Sequence, residues 1–129
     1  MATPSRNNMV VGHKAVILCV DDEENALTLR KRVLQKVGYE VLTALSGREA
    51  LDILASRPID LVLTDHLMPG ITGIELARQV KSQYSEVRVV LLSGVNEIPA
   101  GADVADAFLS KVEGPDILCE RIGAVLNPS

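Results

Sequence analysis

The chain has 129 residues, the usual size of one domain, and its hydrophobic share of 47% excludes a disordered protein. Its formal net charge is −4 and its Lys and Arg residues form no block, so a nucleic-acid-binding surface is not indicated. No apolar run is long enough to span a membrane, and the amino terminus lacks the apolar core of a signal peptide. We therefore expect a cytoplasmic protein that binds neither nucleic acid nor membrane.

The first half of the chain alternates between strand and helix patterns. The apolar run AVILCV (15–20) predicts a strand that is buried on both faces. A helix is predicted over about 24–37, followed by an edge strand over 39–44, where apolar and polar residues alternate. The S-x-x-E signature at Ser46 predicts a capping box and a second helix, which ends before Pro58. The buried stripe of the first helix is predicted to consist of Ala26, Leu29, Val33 and Val37.

The second half of the chain continues this alternation. Strands are predicted over 60–64 and 87–92, and a shorter strand over 106–110. Helices are predicted over 71–83 and 114–126, the latter with a proline in its first turn. The pattern favours an α/β fold in which parallel strands are joined by right-handed crossovers and helices cover both faces of the sheet.

Two segments lie outside this regular pattern. The stretch between the fourth and fifth strands, 94–106, contains small residues and Pro99 but few large apolar ones, so a helix here is expected to be short or irregular. The first 13 residues are polar and are predicted to form a flexible tail. Residues 14–127 are then expected to form a single domain.

Polar residues follow four of the five predicted strands. Asp21 and Asp22 come after the first strand, Asp65 after the third, Ser93 after the fourth and Lys111 after the fifth. In an open parallel sheet the functional site lies beyond the carboxyl ends of the strands, so these side chains are expected to converge. Carboxylates that lie so near one another repel, and a hard divalent cation such as Mg2+ would neutralise them.

This set of groups suits attack on phosphorus. The transition state of phosphoryl transfer spreads negative charge over three oxygens, which Mg2+, the Lys111 ammonium and the Ser93 hydroxyl can each stabilise. Asp65 would then be the nucleophile and would form an acyl phosphate.

The sequence resembles the receiver domain of two-component response regulators, of the chemotaxis-regulator type, over nearly all of residues 14–127. The pieces VDDEEN, DLVLTDHLMPGITGIEL, LLSG and FLSK carry the resemblance, in this order and with fitting spacing. It implies a doubly wound, five-stranded parallel sheet of order 2-1-3-4-5 with helices on both faces. The fourth of these helices is expected to be shortened, because Ser93 and Phe108 are closer in sequence than in the family.

The resemblance also implies roles for individual residues. Asp65 would accept a phosphoryl group from a histidine kinase or a histidine phosphotransfer protein. Mg2+ would be held by Asp21, Asp22 and Asp65 and by the backbone carbonyl of Leu67, and Lys111 matches the lysine of the family. Such a domain is not a conventional enzyme, although it assists its own phosphorylation and dephosphorylation.

Ser93 and Phe108 match the hydroxyl and aromatic switch pair of the family. Phosphorylation is expected to change the surface around the fourth helix and the fifth strand, where a downstream effector would bind. The effector and the cognate kinase cannot be named from the sequence, and the domain is expected to be a monomer or a weak dimer.

The chain departs from the family pattern at three places. Val112 follows Lys111, where the family usually has proline, and the distance from Ser93 to Phe108 is shorter by about one helical turn. No output domain follows the last helix, which suggests a stand-alone receiver or one cut from a longer protein.

Two other functions remain open, a binding module and a phosphatase, and a third, an FMN carrier, is disfavoured. A degenerate receiver could act as a phosphorylation-independent binding module, although the acidic residues and the lysine are present. A phosphatase of the haloacid-dehalogenase type would need Asp-x-Asp after its first strand, whereas Asp21 and Asp22 are adjacent. A flavodoxin-like carrier of FMN would need a Ser-, Thr- or Gly-rich phosphate loop at that place.

Overall fold

The structure is a computed structural model that describes residues 14–94 and 98–128. The expected amino-terminal tail, residues 1–13, lies outside the described residues, as does part of the irregular segment, residues 95–97. No helix in the described part of the chain is long and apolar enough to cross a membrane.

The described residues form five strands and four α-helices, and each predicted element is found within a few residues of its expected bounds. The strands are β1 Val16–Val20, β2 Glu40–Ala44, β3 Leu61–Asp65, β4 Arg88–Ser93 and β5 Ala107–Ser110. The helices are α1 Glu24–Lys36, α2 Gly47–Ser56, α3 Gly73–Gln83 and α4 Pro115–Leu126.

The strands form one parallel sheet in the order β2-β1-β3-β4-β5, which confirms the predicted α/β topology. The chain passes from β1 to β2 on one side and then crosses back past β1 to β3 on the other side, so its direction of winding reverses after β2. Helices cover both faces of the sheet. Helices α1 and α4 pack on one face with Leu27, Leu34 and Ile122, whereas α2 and α3 pack on the other with Leu54 and Leu76. Strands β1 and β3 are buried throughout, as expected for strands covered on both sides.

The predicted stripe of α1 is only partly right, because two of its four members, Ala26 and Val33, are half-buried and the other two are exposed. Leu29 is 65% exposed and Val37 is 56% exposed, whereas Leu27 and Leu34 are buried against the sheet. Apolar residues occur on more than one side of this helix, so their spacing alone allows two orientations about the helix axis. Contact with the sheet and α4 selects the face that carries Leu27 and Leu34.

The capping box predicted at Ser46 is also only half right. The Ser46 hydroxyl accepts a hydrogen bond from the Glu49 N–H at 3.1 Å, but the Glu49 carboxylate accepts from the N–H of Leu45 instead of that of Ser46. A complete capping box occurs at the start of α3, between Thr72 and Glu75. It fixes the start of the helix that follows the loop after Asp65.

The described part of the segment between β4 and β5 contains a three-residue 3-10 turn, Ala102–Val104, and no α-helix. The helix that the sequence analysis expected to be short, between β4 and β5, is therefore reduced to this 3-10 turn within residues 98–106. Ala102 of the turn packs against Ile74 of α3 and Leu91 of β4, and Phe108 borders the same small cluster.

Gly73 allows α3 to begin close to the end of β3. Its N–H donates a 2.8 Å hydrogen bond to the carbonyl of His66, which closes the loop between the two elements. A Cβ atom at this position would collide with the carbonyl oxygen of Asp65, and it would lie 2.8 Å from the Cα of His66. Only glycine fits here without moving the backbone of the phosphoacceptor candidate.

We predict opposite effects for two glycine-to-alanine substitutions. Gly73→Ala should lower the free energy of unfolding by about 1–3 kcal/mol, because the added methyl group meets backbone atoms that cannot move aside cheaply. Gly123→Ala, inside α4, should raise it by about 0.5–1 kcal/mol, because a Cβ there would lie 3.8 Å from the Tyr39 hydroxyl and alanine favours the helix. Urea denaturation of both variants measures this, and equal effects would contradict the close approach at Gly73.

Candidate functional site

The carboxyl ends of β1, β3, β4 and β5 bring the candidate site residues to one edge of the sheet. Hydrogen bonds of the sheet type continue one residue past the strands and hold the backbone in place. The N–H of Asp21 donates to the Ala44 carbonyl at 3.1 Å, and the N–H of Lys111 donates to the Ser93 carbonyl at 2.8 Å. Asp65 is the last residue of β3, opposite Leu92. The site is thus supported by the rigid sheet and not by free loops.

Three carboxylates meet at this edge. Asp21, Asp22 and Asp65 each offer an oxygen atom, and these atoms all lie within 4.8 Å of one another. Asp21 and Asp65 are 2% and 4% exposed, whereas Asp22 is exposed to solvent. Buried carboxylates at this spacing need a positive charge beside them, because their mutual repulsion is poorly screened by water.

Lys111 supplies one such charge. Its Nζ atom lies 2.7 Å from Oδ1 of Asp65 and 3.9 Å from Oδ2 of Asp21. The described residues contain no cis peptide bond, so the bond from Lys111 to Val112 is trans. The N–H of Val112, which a proline would lack, donates to the Ser110 hydroxyl at 3.3 Å. Lys111 therefore reaches Asp65 although the usual proline is absent.

Arg30 supplies a second positive charge, which the sequence analysis missed. Its Nη1 atom donates a 2.8 Å hydrogen bond to Oδ2 of Asp21 from the first helix. In the sequence, Arg30 lies four residues after Ala26, and therefore on the side of α1 that was predicted to be apolar. Which side of α1 faces the sheet edge could not be read from periodicity alone.

These contacts set the protonation of Asp21. Burial by itself raises the pKa of this carboxyl group, but the hydrogen bonds from Arg30 and from the Glu23 N–H, with the charges of Arg30 and Lys111, outweigh it. The pKa of Asp21 is consequently held below its ordinary value of 3.8. Asp21 is ionised at neutral pH and contributes a full negative charge to the site.

The three carboxylates fit a hard divalent cation. Carboxylate and carbonyl oxygens with an exposed side at Asp22 suit Mg2+, which binds few protein ligands and retains several waters. Leu67, whose carbonyl was predicted as a further ligand, lies in the loop two residues beyond Asp65, and its side chain is 67% exposed. The donors present therefore match the predicted metal in type and charge.

The residues of the expected switch lie beside this cluster on neighbouring strands. Ser93 is the last residue of β4 and is 2% exposed. Phe108 of β5 is paired with Leu91 and is partly buried in the small cluster around Ala102. Leu91 and Ser93 are two residues apart on one strand, so their side chains leave the sheet on the same face. Phe108 therefore borders the face on which Ser93 is placed.

The comparisons with known proteins agree with this geometry. The family described as "Response regulator receiver domain" matches residues 17–123. The response regulator MprA of Mycolicibacterium vanbaalenii is 38% identical over 115 residues, which cover 86% of this chain and 50% of that protein. The alkaline phosphatase synthesis transcriptional regulatory protein PhoP of Bacillus subtilis is 33% identical over 117 residues, covering 88% of this chain and 49% of that protein. The chain thus spans about half the length of these relatives.

Solved structures give the same result. The response regulator TrrA of Thermotoga maritima, crystallised in complex with Mg(2+)-BeF, superposes with a TM-score of 0.81 at 35% sequence identity. The superposition covers 86% of this chain and 98% of that one. A receiver domain protein of Clostridium thermocellum superposes with a TM-score of 0.80 at 34% identity, covering 88% and 94% of the two chains.

We predict that Asp21 stabilises the metal-free fold in a pH-dependent way. Its pKa is lower in the folded protein than in the unfolded chain, so its contribution is complete above the unfolded value of 3.8 and is lost as the pH falls through the folded value. Asp21→Asn should lower the free energy of unfolding by about 1–2 kcal/mol at pH 6, and by less at pH 3. Urea titrations in metal-free buffer measure this difference. All other carboxylates are common to both proteins, so a gap that is the same at both pH values would refute the role given to Asp21.

Proposed function

The chain belongs to the response regulator receiver domains of two-component signal transduction, and on this premise we propose that it is a Mg2+-dependent phosphoacceptor switch. Asp65 would receive the phosphoryl group from a histidine kinase or a histidine phosphotransfer protein. The observation that carries the proposal is the contact of 2.7 Å between Lys111 and Asp65 within a cluster of three carboxylates. A degenerate receiver would have no need to retain both groups in contact.

In the proposed transfer, a carboxylate oxygen of Asp65 attacks phosphorus in line with the leaving group. A P–O bond to Asp65 forms, and the P–N bond of the phosphohistidine donor breaks, with the electron pair leaving on the imidazole nitrogen. Lys111 orients Asp65 before the reaction and stabilises charge on the phosphoryl oxygens during it. The buried sheet edge keeps Asp65 fixed, so little reorganisation is needed.

Asp21, Asp22, Asp65 and the Leu67 carbonyl would hold Mg2+. When bound, Mg2+ supplies positive charge that offsets the repulsion between the carboxylates and the incoming phosphoryl oxygens. The complex of TrrA with Mg(2+)-BeF supports this part of the proposal, because TrrA and this chain share the fold and 35% of their aligned residues.

The output of the switch would depend on Ser93 and Phe108. A phosphoryl group on Asp65 adds negative charge and acceptor oxygens, toward which the Ser93 hydroxyl would move. Phe108 would then fill the space that Ser93 leaves. The small cluster of Phe108, Ala102, Ile74 and Leu91 would transmit the change to the surface between β4 and β5.

A downstream effector would read the state of this switch. The matched relatives are about twice as long as the matched region, and PhoP is named as a transcriptional regulator. We propose that this receiver controls an output module, either in the same polypeptide or in a separate protein, and that the receiver itself contacts no nucleic acid and no membrane, acting in the cytoplasm as a monomer or weak dimer.

We predict that Asp22→Ala prevents Mg2+ binding and phosphorylation while the fold stays intact, because the most open ligand of the cluster is removed. The protein is incubated with acetyl phosphate and Mg2+, and its intact mass is measured. The wild type should gain one phosphoryl group, and Asp22→Ala and Asp65→Asn should gain none. Asp52→Ala, an exposed aspartate on α2, is the matched control and should behave as the wild type.

The same experiment separates the alternatives. A binding module would gain no mass in the wild type, and a phosphatase would release phosphate continuously without keeping the group. Phosphorylation of Asp22→Ala at the wild-type rate would show that the metal site has been assigned wrongly.

We further predict that Leu67 slows loss of the phosphoryl group. Hydrolysis needs a water in line with phosphorus, opposite Asp65. In the family the residues two positions after the phosphoacceptor and two after the switch hydroxyl border this approach, and the second of them, Val95, lies outside the described residues. Leu67 has no polar group with which to orient a water, and it lies in the loop two residues beyond Asp65 with its side chain exposed. Leu67→Asn should shorten the half-life of the phosphorylated protein several-fold after donor removal, whereas Val37→Asn at the distant end of α1 should not. Equal half-lives for wild type and Leu67→Asn would argue against this role.

A further inference from the structure

Arg30 places a guanidinium group inside the acidic cluster from a position on the first helix. Its side chain is 15% exposed, and its partner Asp21 is 2% exposed, so the ion pair is largely shielded from water. The hydrogen bond from Nη1 to Oδ2 of Asp21 is 2.8 Å long and joins α1 to the end of β1. Shielding of this kind makes the pair stronger than an exposed surface ion pair.

Arg30 changes the charge that a metal ion would meet. The three carboxylates of Asp21, Asp22 and Asp65 give −3, and the contacts of Lys111 and Arg30 add +2, which leaves −1. Without Arg30 the same cluster would have a charge of −2. A divalent cation is attracted less strongly to the site that contains Arg30.

The oxygens of Asp21 are already engaged. Oδ1 accepts a hydrogen bond of 3.0 Å from the Glu23 N–H, and Oδ2 accepts the one from Arg30, with Lys111 Nζ 3.9 Å away. A metal ion that binds Oδ2 of Asp21 would have to share this oxygen with the Arg30 guanidinium, whose Nη1 lies 2.8 Å away. Whether the ion binds Asp21 or only Asp22 and Asp65, it does so beside this positive charge unless Arg30 moves away.

The structure also provides space for Arg30 to move into. An open groove of about 220 Å3 lies between α1 and α4, and its lining includes Arg30, Lys111 and Glu113. Glu113, whose carboxylate accepts a 3.3 Å hydrogen bond from the Ser110 N–H, lines the same groove and is the candidate second partner for the guanidinium group. Withdrawal from Asp21 would thus not require Arg30 to lose all opposite charge.

We propose that Arg30 is a built-in counter-ion of the acidic cluster that competes with Mg2+ for Asp21, and so sets the Mg2+ concentration at which the site can accept a phosphoryl group. The proposal rests on the Mg2+-dependent function proposed above. In the metal-free protein Arg30 neutralises Asp21 and holds α1 against the end of β1. Mg2+ binding displaces it or acts against its charge, which weakens the apparent affinity for the metal.

The test is a calorimetric titration of the metal-free protein with MgCl2. Arg30→Met and Arg30→Gln remove the charge, and both should bind Mg2+ about tenfold more tightly than the wild type, by the Coulomb energy of an ion near a unit charge in a partly aqueous site. Arg30→Lys restores the charge and should return the affinity toward that of the wild type. Arg32→Met, an exposed arginine on the same helix, is the control for a general change of charge and should leave the affinity unchanged.

Thermal unfolding gives a second readout, which activity does not affect. In EDTA, Arg30→Met should melt below the wild type, because Asp21 loses its partner. Saturating Mg2+ should raise its Tm by more than that of the wild type. If Arg30→Met does not fold without metal, Arg30→Gln, which retains a hydrogen-bond donor, is measured in the same way.

The outcomes are distinguishable. Equal Mg2+ affinity for the wild type and both neutral variants overturns the proposal for Arg30, while Mg2+-dependent phosphorylation of the wild type would still support the proposed function. Equal tightening in Arg30→Met and Arg32→Met also overturns it, because the effect would then be one of net charge. If the wild type and the neutral variants bind no Mg2+ and the wild type gains no phosphoryl group, the proposed function fails, and this inference fails with it.

Discussion

Mutual repulsion of three carboxylates at one edge of the sheet is the constraint on which the site depends. Two unit charges 4 Å apart interact by about 1 kcal/mol in water and by several times more in a partly buried site, and Asp21 and Asp65 are both buried. The fold can hold them there only with positive charge in direct contact. Lys111 and Arg30 provide it, the first from the loop after β5 and the second from α1, and both approach Oδ2 of Asp21. The metal-free state is therefore an ion-pair network whose balance a divalent cation or a phosphoryl group would change.

The parallel sheet holds the three crowded carboxylates in place. Strands β1 and β3 are covered on both faces, and sheet hydrogen bonds continue through Asp21, His66 and Lys111, so the charged groups sit on the most rigid part of the molecule. Gly73 then lets α3 begin almost in contact with the backbone of Asp65. The stability of the hydrophobic core is in this way used to hold side chains that would otherwise move apart.

The region between β4 and β5 is built differently. Within residues 98–106 the packing against α3 depends on a single 3-10 turn, with Ala102 as its buried residue. Phe108 borders this small cluster instead of one of the two large cores that flank the sheet. The sheet edge that carries Asp65 thus lies beside a segment that is joined to α3 by this small cluster.

The sequence by itself determined the order of the elements, the parallel sheet and the edge at which Asp21, Asp22, Asp65, Ser93 and Lys111 would meet. These follow from local patterns and from the rule that parallel strands end at the same edge, so no distant contact had to be known. The tertiary structure alone decided the rotation of α1 about its axis, which buries Leu27 and Leu34 and leaves Leu29 exposed. That rotation brings Arg30 to Asp21. The tertiary structure also shows that Lys111 reaches Asp65 with Val112 in place of proline. It shows as well that position 73 must be glycine, because the fold brings backbone atoms of Asp65 and His66 close to it. In each case the deciding contact joins residues from different elements, and a helix with apolar residues on several sides does not reveal which side will be covered.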